Sequence, residues 1–380
     1  MEISNLTLIV TDDCNFNCSY CLQKKEKKYM DNTTIKTAVD FFYPFLKGDD
    51  KIYINFYGGE PLLAYDKIKY AVQLLQEKNK TGNKNIECSL TTNGSLITDE
   101  MLDFFNRNQF GLMLSFDGLA QDKGRKKGTL DQMVQVMKRI RAHPGIDFEI
   151  NSVFTPGTIS SLTDSLRFMI QLDRSDITLN FSTIEEWTPL DLDALSTELK
   201  RLSDFLFSYY QEKGTIPVKN FQAPETLVEA DTAKEMKRGI FRCNAGKDRM
   251  AVTPEGKLWG CFLFHDYFKT RENHPQYQDY FLGTLTDFIA NYETRYPVIL
   301  ANYSELRQDF FQVDKKNPGE NGENEFCFLC EDIDGCVVCP VNAAYTSGAL
   351  GKVSYHKCQL IKIQRHAQEN FRQKLLELSP

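Results

Sequence analysis

Cys14, Cys18 and Cys21 stand in the spacing Cys-x3-Cys-x2-Cys, directly after the apolar run Leu6–Val10. Three thiolates so close together can hold three irons of a cubane, and because a [4Fe–4S] cluster ordinarily takes four cysteines, one iron is left for another ligand. The triplet also suits a zinc ion that borrows a fourth ligand from elsewhere, or a redox thiol pair. A second set lies far downstream: Cys243-x12-Gly256-x4-Cys261, then Cys327-x2-Cys330-x5-Cys336-x2-Cys339, then Cys358. Cys-x2-Cys pairs are common zinc sites when they stand alone. Two such sets in one chain favour iron–sulfur clusters, since both then serve electron transfer. Cys88 lies within a strand-like run and reads as a buried structural thiol.

The chain that must position these groups has 380 residues, 42% of them hydrophobic. That is enough for a large core and long enough for two domains. Its net charge of -7 argues against nucleic acid as a partner, because a phosphate-backbone binder needs a basic surface. Residues 1–13 lack the positive start of an export signal and no stretch of about 18 apolar residues occurs, so no membrane contact and a cytoplasmic location are expected. In such a chain clustered thiols read as metal ligands rather than a disulfide framework.

Residues 1–182 alternate β-rich runs with helix-period segments, the pattern of repeated βα units on a parallel sheet. The candidate strands are Leu6–Val10, Ile52–Phe56, Glu87–Thr91, Leu112–Phe116, Phe148–Val153 and Ile177–Phe181, and six units fit a partial barrel. Between the first two, Ile35, Val39, Phe42 and Leu46 form one apolar helical stripe, with Asn32 or Thr33 available as N-cap. From Ile184 to Lys213 a polar turn leads into a long amphipathic helix containing Leu199, Leu202, Phe205 and Leu206. The expected division is a core at 1–183, a helical bridge at 184–235 and a cysteine-rich domain with a C-terminal helix at 236–380.

Chemistry-bearing residues recur at the expected strand ends, where barrel enzymes build their sites. Tyr57-Gly58-Gly59-Glu60-Pro61 follows the second strand, Thr91-Thr92-Asn93-Gly94 the third, and Ser115-Phe116-Asp117-Gly118 the fourth, with Asp122 and Arg125 beyond; Asn151 lies on the fifth. Read alone, Gly-Gly-Glu-Pro, Asn-Gly and Asp-Gly are turn chemistry. Taken together with Cys14-x3-Cys18-x-Tyr20-Cys21, the series resembles the radical S-adenosylmethionine (SAM) superfamily over roughly residues 5–365.

The resemblance implies an α/β fold, a partial (β/α)6 TIM barrel, with a SAM-binding [4Fe–4S] cluster on Cys14, Cys18 and Cys21. It further implies that Tyr57, Gly58, Gly59 and Glu60 meet the amino group of the methionine moiety. Asn93 and Asp117 would lie beside SAM, Ser115 and Arg125 would hold its carboxylate, and Asn151 would meet the ribose or adenine. The downstream cysteines resemble the SPASM domain, with Val252–Cys261 as its hairpin and Pro254-Glu255-Gly256 as the turn. By that pattern Cys327, Cys330, Cys336 and Cys358 would hold one auxiliary cluster and Cys243, Cys261 and Cys339 the other, three clusters in all. Residues 232–242 contain no further cysteine, so the latter cluster could keep an open iron, or be completed by a substrate group or by His265. The x2 spacing of Cys336 and Cys339, where related enzymes commonly show x3, bears on the place of Cys339. His143, His274, His356 and His366 show no ligand spacing.

The implied activity is reductive cleavage of SAM to a 5′-deoxyadenosyl radical that abstracts hydrogen from a residue of a ribosomally made precursor peptide, installing a crosslink or other oxidative modification. Formylglycine generation as in sulfatase maturation, a small-molecule dehydrogenase and a non-catalytic metal-binding or redox-sensing protein are the alternatives. The expected partners are the peptide, a separate leader-binding protein if one is needed, since only 13 residues precede Cys14, and a flavodoxin or ferredoxin electron donor. Lys24-Lys25-Glu26-Lys27-Lys28 reads as a solvated face or as the dock for that acidic donor. No catalytic acid or base is identifiable from the sequence.

Overall fold

The computed structural model describes residues 1–48, 50–172, 176–222, 243–316, 336 and 338–378. Cys327, Cys330 and the end of the expected bridge lie outside them. Among the described residues nine strands form one sheet in the order β6-β5-β4-β3-β2-β1-β7-β8-β9. The first six, β1 (Asn5–Thr11), β2 (Ile52–Gly58), β3 (Ile86–Thr92), β4 (Gly111–Ser115), β5 (Asp147–Phe154) and β6 (Ile177–Phe181), pair in parallel. Each coincides with an expected strand to within a residue or two at either end.

Helices α1 (Asn32–Phe42), α2 (Tyr65–Gly82), α3 (Asp99–Arg107), the short α4 (Gln121–Gly124), α5 (Leu130–Arg141) and α6 (Leu162–Gln171) alternate with the strands. The pleat explains the division of labour. In β2, Ile52, Ile54 and Phe56 are buried in the main core, while Tyr53, Asn55 and Tyr57 line an interior cavity. In β2 one face is thus packed and the other lines a chamber, whereas β1 is buried on both faces from Leu6 to Thr11.

The N-cap of α1 is Asp31, whose Oδ1 accepts from Thr34 N at 2.7 Å; neither Asn32 nor Thr33 serves. Asp31 has the extended backbone an N-cap needs, and Asn32 is already helical. The helix also ends earlier than the stripe suggests, because Pro44 follows and the chain makes a 3₁₀ turn over Tyr43–Phe45. Leu46 is still buried, bridging to Ile3.

Helix α7 (Pro189–Lys213) begins in a capping box between Thr188 and Asp191, has proline at its first position and ends at Gly214 in the left-handed conformation. It packs against α6 and the C-terminal helix α12 (Tyr355–Leu376). Beyond it, β7 (Arg249–Val252) pairs in parallel with β1 and antiparallel with β8 (Lys257–Trp259), which pairs with β9 (Phe281–Thr284). The expected boundary near residue 235 is therefore not a break in the sheet. Between and after these strands come α8 (Phe262–Phe268), α9 (Tyr277–Tyr280), α10 (Leu285–Lys316) and α11 (Pro340–Ser347). Among the described residues no helix is long and apolar enough to cross a membrane.

Candidate active site

The parallel register brings the motif-bearing strand ends to one rim. Thr11, at the end of β1, pairs with Gly58 on β2, and Ser115 on β4 pairs with Asn151 on β5. The loop from Asp12 to Lys28 leaves that rim and closes on itself, with Asp12 N donating to Lys28 O at 3.0 Å and Glu26 N to Asp12 O at 3.1 Å. Within it Cys14, Cys18 and Cys21 are partly exposed. Burial raises the Cys14 thiol to about 11, and burial also raises Cys18, with Arg125 and Lys25 nearby acting in the opposite direction. A bound cation deprotonates such thiols where neutral water does not. Lys25 Nζ also donates to Phe16 O and to Asn17 Oδ1, and Lys126 Nζ to Asn15 O at 3.3 Å. Lys25, Lys126 and Arg125 therefore bring cationic groups against the thiol loop.

The Gly-Gly-Glu segment packs directly on this loop. Gly58 has φ +151°, and a Cβ there would lie 2.1 Å from Thr11 O. A Cβ on Gly59 would lie 2.3 Å from Asp13 O and 2.9 Å from Cys14 Cβ. Glu60 is 1% exposed. Its carboxylate accepts from Asn93 N (2.7 Å), Thr92 Oγ1 (2.7 Å) and Leu62 N (3.1 Å). Burial nevertheless pushes it up to about 7, because no Lys or Arg among the described residues forms an ion pair with it. A buried carboxylate that lacks a cation, beside the thiol loop, fits the ammonium group of an amino acid such as the methionine portion of SAM. The Asn93 side chain joins this wall to the loop, donating to Asn15 Oδ1 at 2.8 Å and accepting from Ser95.

Asp117 and Arg125 close on each other. Arg125 Nε meets Asp117 Oδ2 at 2.8 Å and Nη2 meets Oδ1 at 2.9 Å, both side chains being buried. Tyr20 OH donates to Asp117 Oδ2 at 2.6 Å, Val153 N to Oδ1 at 2.9 Å, and Arg125 Nη2 to Asn151 O at 3.3 Å. The aromatic residue of the cysteine motif is thereby tied to β4 and β5. Two of the guanidinium's nitrogens are spent on protein, which narrows a carboxylate-holding role to Nη1. Ser115 stands at the same rim, and Asn151 Oδ1 accepts from Asn180 Nδ2 at 2.7 Å.

In the C-terminal segment Cys261 lies close enough to Cys243 and Cys339 for both to act on its thiol, which burial raises to about 12. Cys336 and Cys358 pack against one small apolar cluster formed by Val338, Ala343 and Val353. His265 places Nε2 3.4 Å from Asp12 Oδ1, at the first cysteine loop rather than toward Cys261. Cys88 is buried in β3 and burial pushes it up to about 12, as suits a structural thiol. Of the lysine run, Lys24 and Lys28 pair with Glu26, and Lys28 also with Glu255.

Several residues absent from the sequence reading complete the site. Asp266, on α8, is buried, with Oδ2 3.4 Å from Gln23 Nε2 and 3.5 Å from Tyr57 OH. Tyr57 also lies against Phe262, ring centres 4.1 Å apart. Lys269 meets Asp12 Oδ2 at 2.6 Å. The signal available was the spacing of His265 and Lys269, one turn apart behind Cys261, but not what they would face. A cavity of about 400 Å³ runs inside the sheet, lined by Asn5, Asn55, Ser89 and Tyr57 from the barrel and by Cys261 and Phe262 from the C-terminal segment.

A parallel half-barrel with a three-thiol loop and a buried acidic wall at its strand ends is the architecture of a cofactor-dependent α/β enzyme. Residues 8–169, which carry the three-thiol loop and the Gly-Gly-Glu segment, match the Radical SAM superfamily, whose enzymes use a [4Fe–4S] cluster and SAM. It is 29% identical over 227 residues to an uncharacterized protein of Methanocaldococcus jannaschii, covering 58% of this chain and 75% of that one. It is 23% identical over 293 residues to the radical SAM cyclopropyl synthase TigE of Paramaledivibacter caminithermalis, covering 70% of this chain and 59% of the synthase. The fold matches that of anSMEcpe with bound AdoMet over 99% of this chain and 98% of that one, with TM-score 0.72 and 19% identity. The same protein has been solved with AdoMet and a Cp18Cys peptide.

Proposed function

We propose that this chain is a peptide maturase, which abstracts hydrogen from a residue of a ribosomally made precursor peptide and installs a crosslink or another oxidative modification. Cys14, Cys18 and Cys21 would hold the cluster that leaves one iron for SAM. Glu60 would receive the SAM ammonium, Gly58 and Gly59 would let the backbone approach it, and Asn93 would fix that wall to the cysteine loop. Ser115, Asn151 and Arg125 Nη1 remain to meet the carboxylate and ribose. Together these cofactors supply, when bound, a carbon-centred radical able to take hydrogen from an unactivated carbon.

Cys243, Cys261 and Cys339 would hold one auxiliary cluster, and Cys336 and Cys358, with Cys327 and Cys330, the other. What carries the reading is the shared cavity: Tyr57, from the strand end that holds the Gly-Gly-Glu motif, and Cys261, from the second cysteine set, line the same space. A substrate there would lie beside Cys261 of the second set, against Phe262 and the inner face of the sheet. That anSMEcpe, of the same fold, binds peptides supports a peptide as the occupant. Anaerobic incubation of the reconstituted protein with candidate precursor peptides tests this by mass spectrometry. Loss of hydrogen from the peptide, mapped to one residue, supports the reading. A formylglycine product, or SAM cleavage with every peptide unmodified, contradicts it.

A further inference from the structure

Helix α8 leaves Cys261 and turns its polar side chains onto the other cysteine loop. His265 Nε2 is 3.4 Å from Asp12 Oδ1, and Lys269 Nζ is 2.6 Å from Asp12 Oδ2. The same Lys269 Nζ donates to Lys24 O at 2.8 Å. Asp12 opens the loop that carries Cys14, Cys18 and Cys21, and Lys24 lies just past its last cysteine, so one ammonium brackets the stretch that holds the three thiols. The side chains of Asp12, His265 and Lys269 are all less than a tenth exposed. Removing such charges from water is expensive and the pairing returns little net stability, so a buried pair of this kind is weak evidence for stabilisation and better evidence for a specified geometry.

We propose that Lys269 is a positioning residue for the first cysteine set. Acting from the C-terminal segment, it braces the Asp12–Lys28 loop in its cluster-accepting shape and so makes loading of Cys14, Cys18 and Cys21 depend on correct docking of the helix that follows Cys261. The inference rests on the reading of those three cysteines as cluster ligands. Lys25 and Lys126 hold the loop's interior carbonyls, but neither links Asp12 to the segment past Cys21, and neither comes from beyond the barrel.

The test compares wild type with Lys269→Met and Lys269→Arg in the full-length chain. Hydrogen exchange is read first on metal-free protein, and the iron content and electron paramagnetic resonance of the reduced first cluster after reconstitution. Lys269→Met should raise exchange across residues 14–28 about tenfold while β2–β5 stay protected, lower first-site iron, and shift the SAM-dependent signal; Lys269→Arg should restore most of each. Exchange in 14–28 that matches wild type overturns the brace. If Lys269→Met fails to fold, Asp12→Asn, which keeps the side chain's shape and removes its charge, decides the question by the same exchange readout. Failure of the cluster reading shows separately, as equal iron in wild type and a Cys14/Cys18/Cys21 alanine variant.

Discussion

Arg125 and Asp117 form a two-point buried ion pair, Nε to Oδ2 at 2.8 Å and Nη2 to Oδ1 at 2.9 Å, onto which Tyr20 OH also closes at 2.6 Å. The pair sits between the cysteine loop and the ends of β4 and β5, so the shape of the loop depends on a contact nearly a hundred residues away. Removing one partner strands the other charge in a dry site. Asp117→Ala is expected to cost about 3–5 kcal/mol of folding stability, read as a lowered urea midpoint of the metal-free protein. Arg125→Lys is expected to recover only part of it, because an ammonium cannot reproduce the fork. A cost under about 1 kcal/mol for Asp117→Ala would contradict this role.

Glu60 has backbone and hydroxyl donors but no cation among the described residues. Glu60→Gln keeps the size of the side chain and removes the charge. SAM binding to the reconstituted protein should weaken at least tenfold, about 1.4 kcal/mol, with iron content unchanged. Equilibrium dialysis with labelled SAM measures this, and equal affinity would remove Glu60 from the cofactor site.

Burial raises the Asp266 carboxyl to about 6, against His265 and Gln23, which act to lower it. The folded state keeps this proton up to about pH 6, whereas the unfolded chain releases it near the ordinary value of 3.8. The group therefore costs stability above pH 6, by up to about 3 kcal/mol, and the cost disappears as pH falls from 6 toward 4. Asp266→Asn should stabilise metal-free protein at pH 7.5 far more than at pH 4.5, checked by urea denaturation at both values. An equal effect at the two pH values would refute it.

Cys88 is buried in β3, away from both cysteine sets. Cys88→Ala should leave bound iron at its wild-type level and cost about 1 kcal/mol through lost packing. A drop in iron on reconstitution would mean the thiol is a ligand.

The barrel strands were legible because each carries a short β-rich run bounded by turn residues, and the cysteine and Gly-Gly-Glu motifs because their spacing is local. The cap of α1 lies one or two residues before the expected Asn32 or Thr33, since Asp31, Asn32 and Thr33 all have capping side chains and only the backbone decides among them. The continuation of the sheet through β7 was hidden for a different reason: Arg249–Val252 pairs with Asn5–Leu8, and short strands carry no mark of a distant neighbour. The same holds for His265 and Asp12, which lie 253 positions apart. A histidine beside cysteines reads as a ligand until the carboxylate it faces is known.

The most direct test of the central claim is anaerobic reconstitution of wild type and of the Cys14→Ala/Cys18→Ala/Cys21→Ala variant, with iron and sulfide analysis and a 5′-deoxyadenosine assay after dithionite reduction. Wild type should bind about twelve irons per chain and the variant about eight, with the nucleoside formed by wild type alone. Equal iron in the two proteins, zinc in place of iron, or no SAM cleavage by wild type would contradict it.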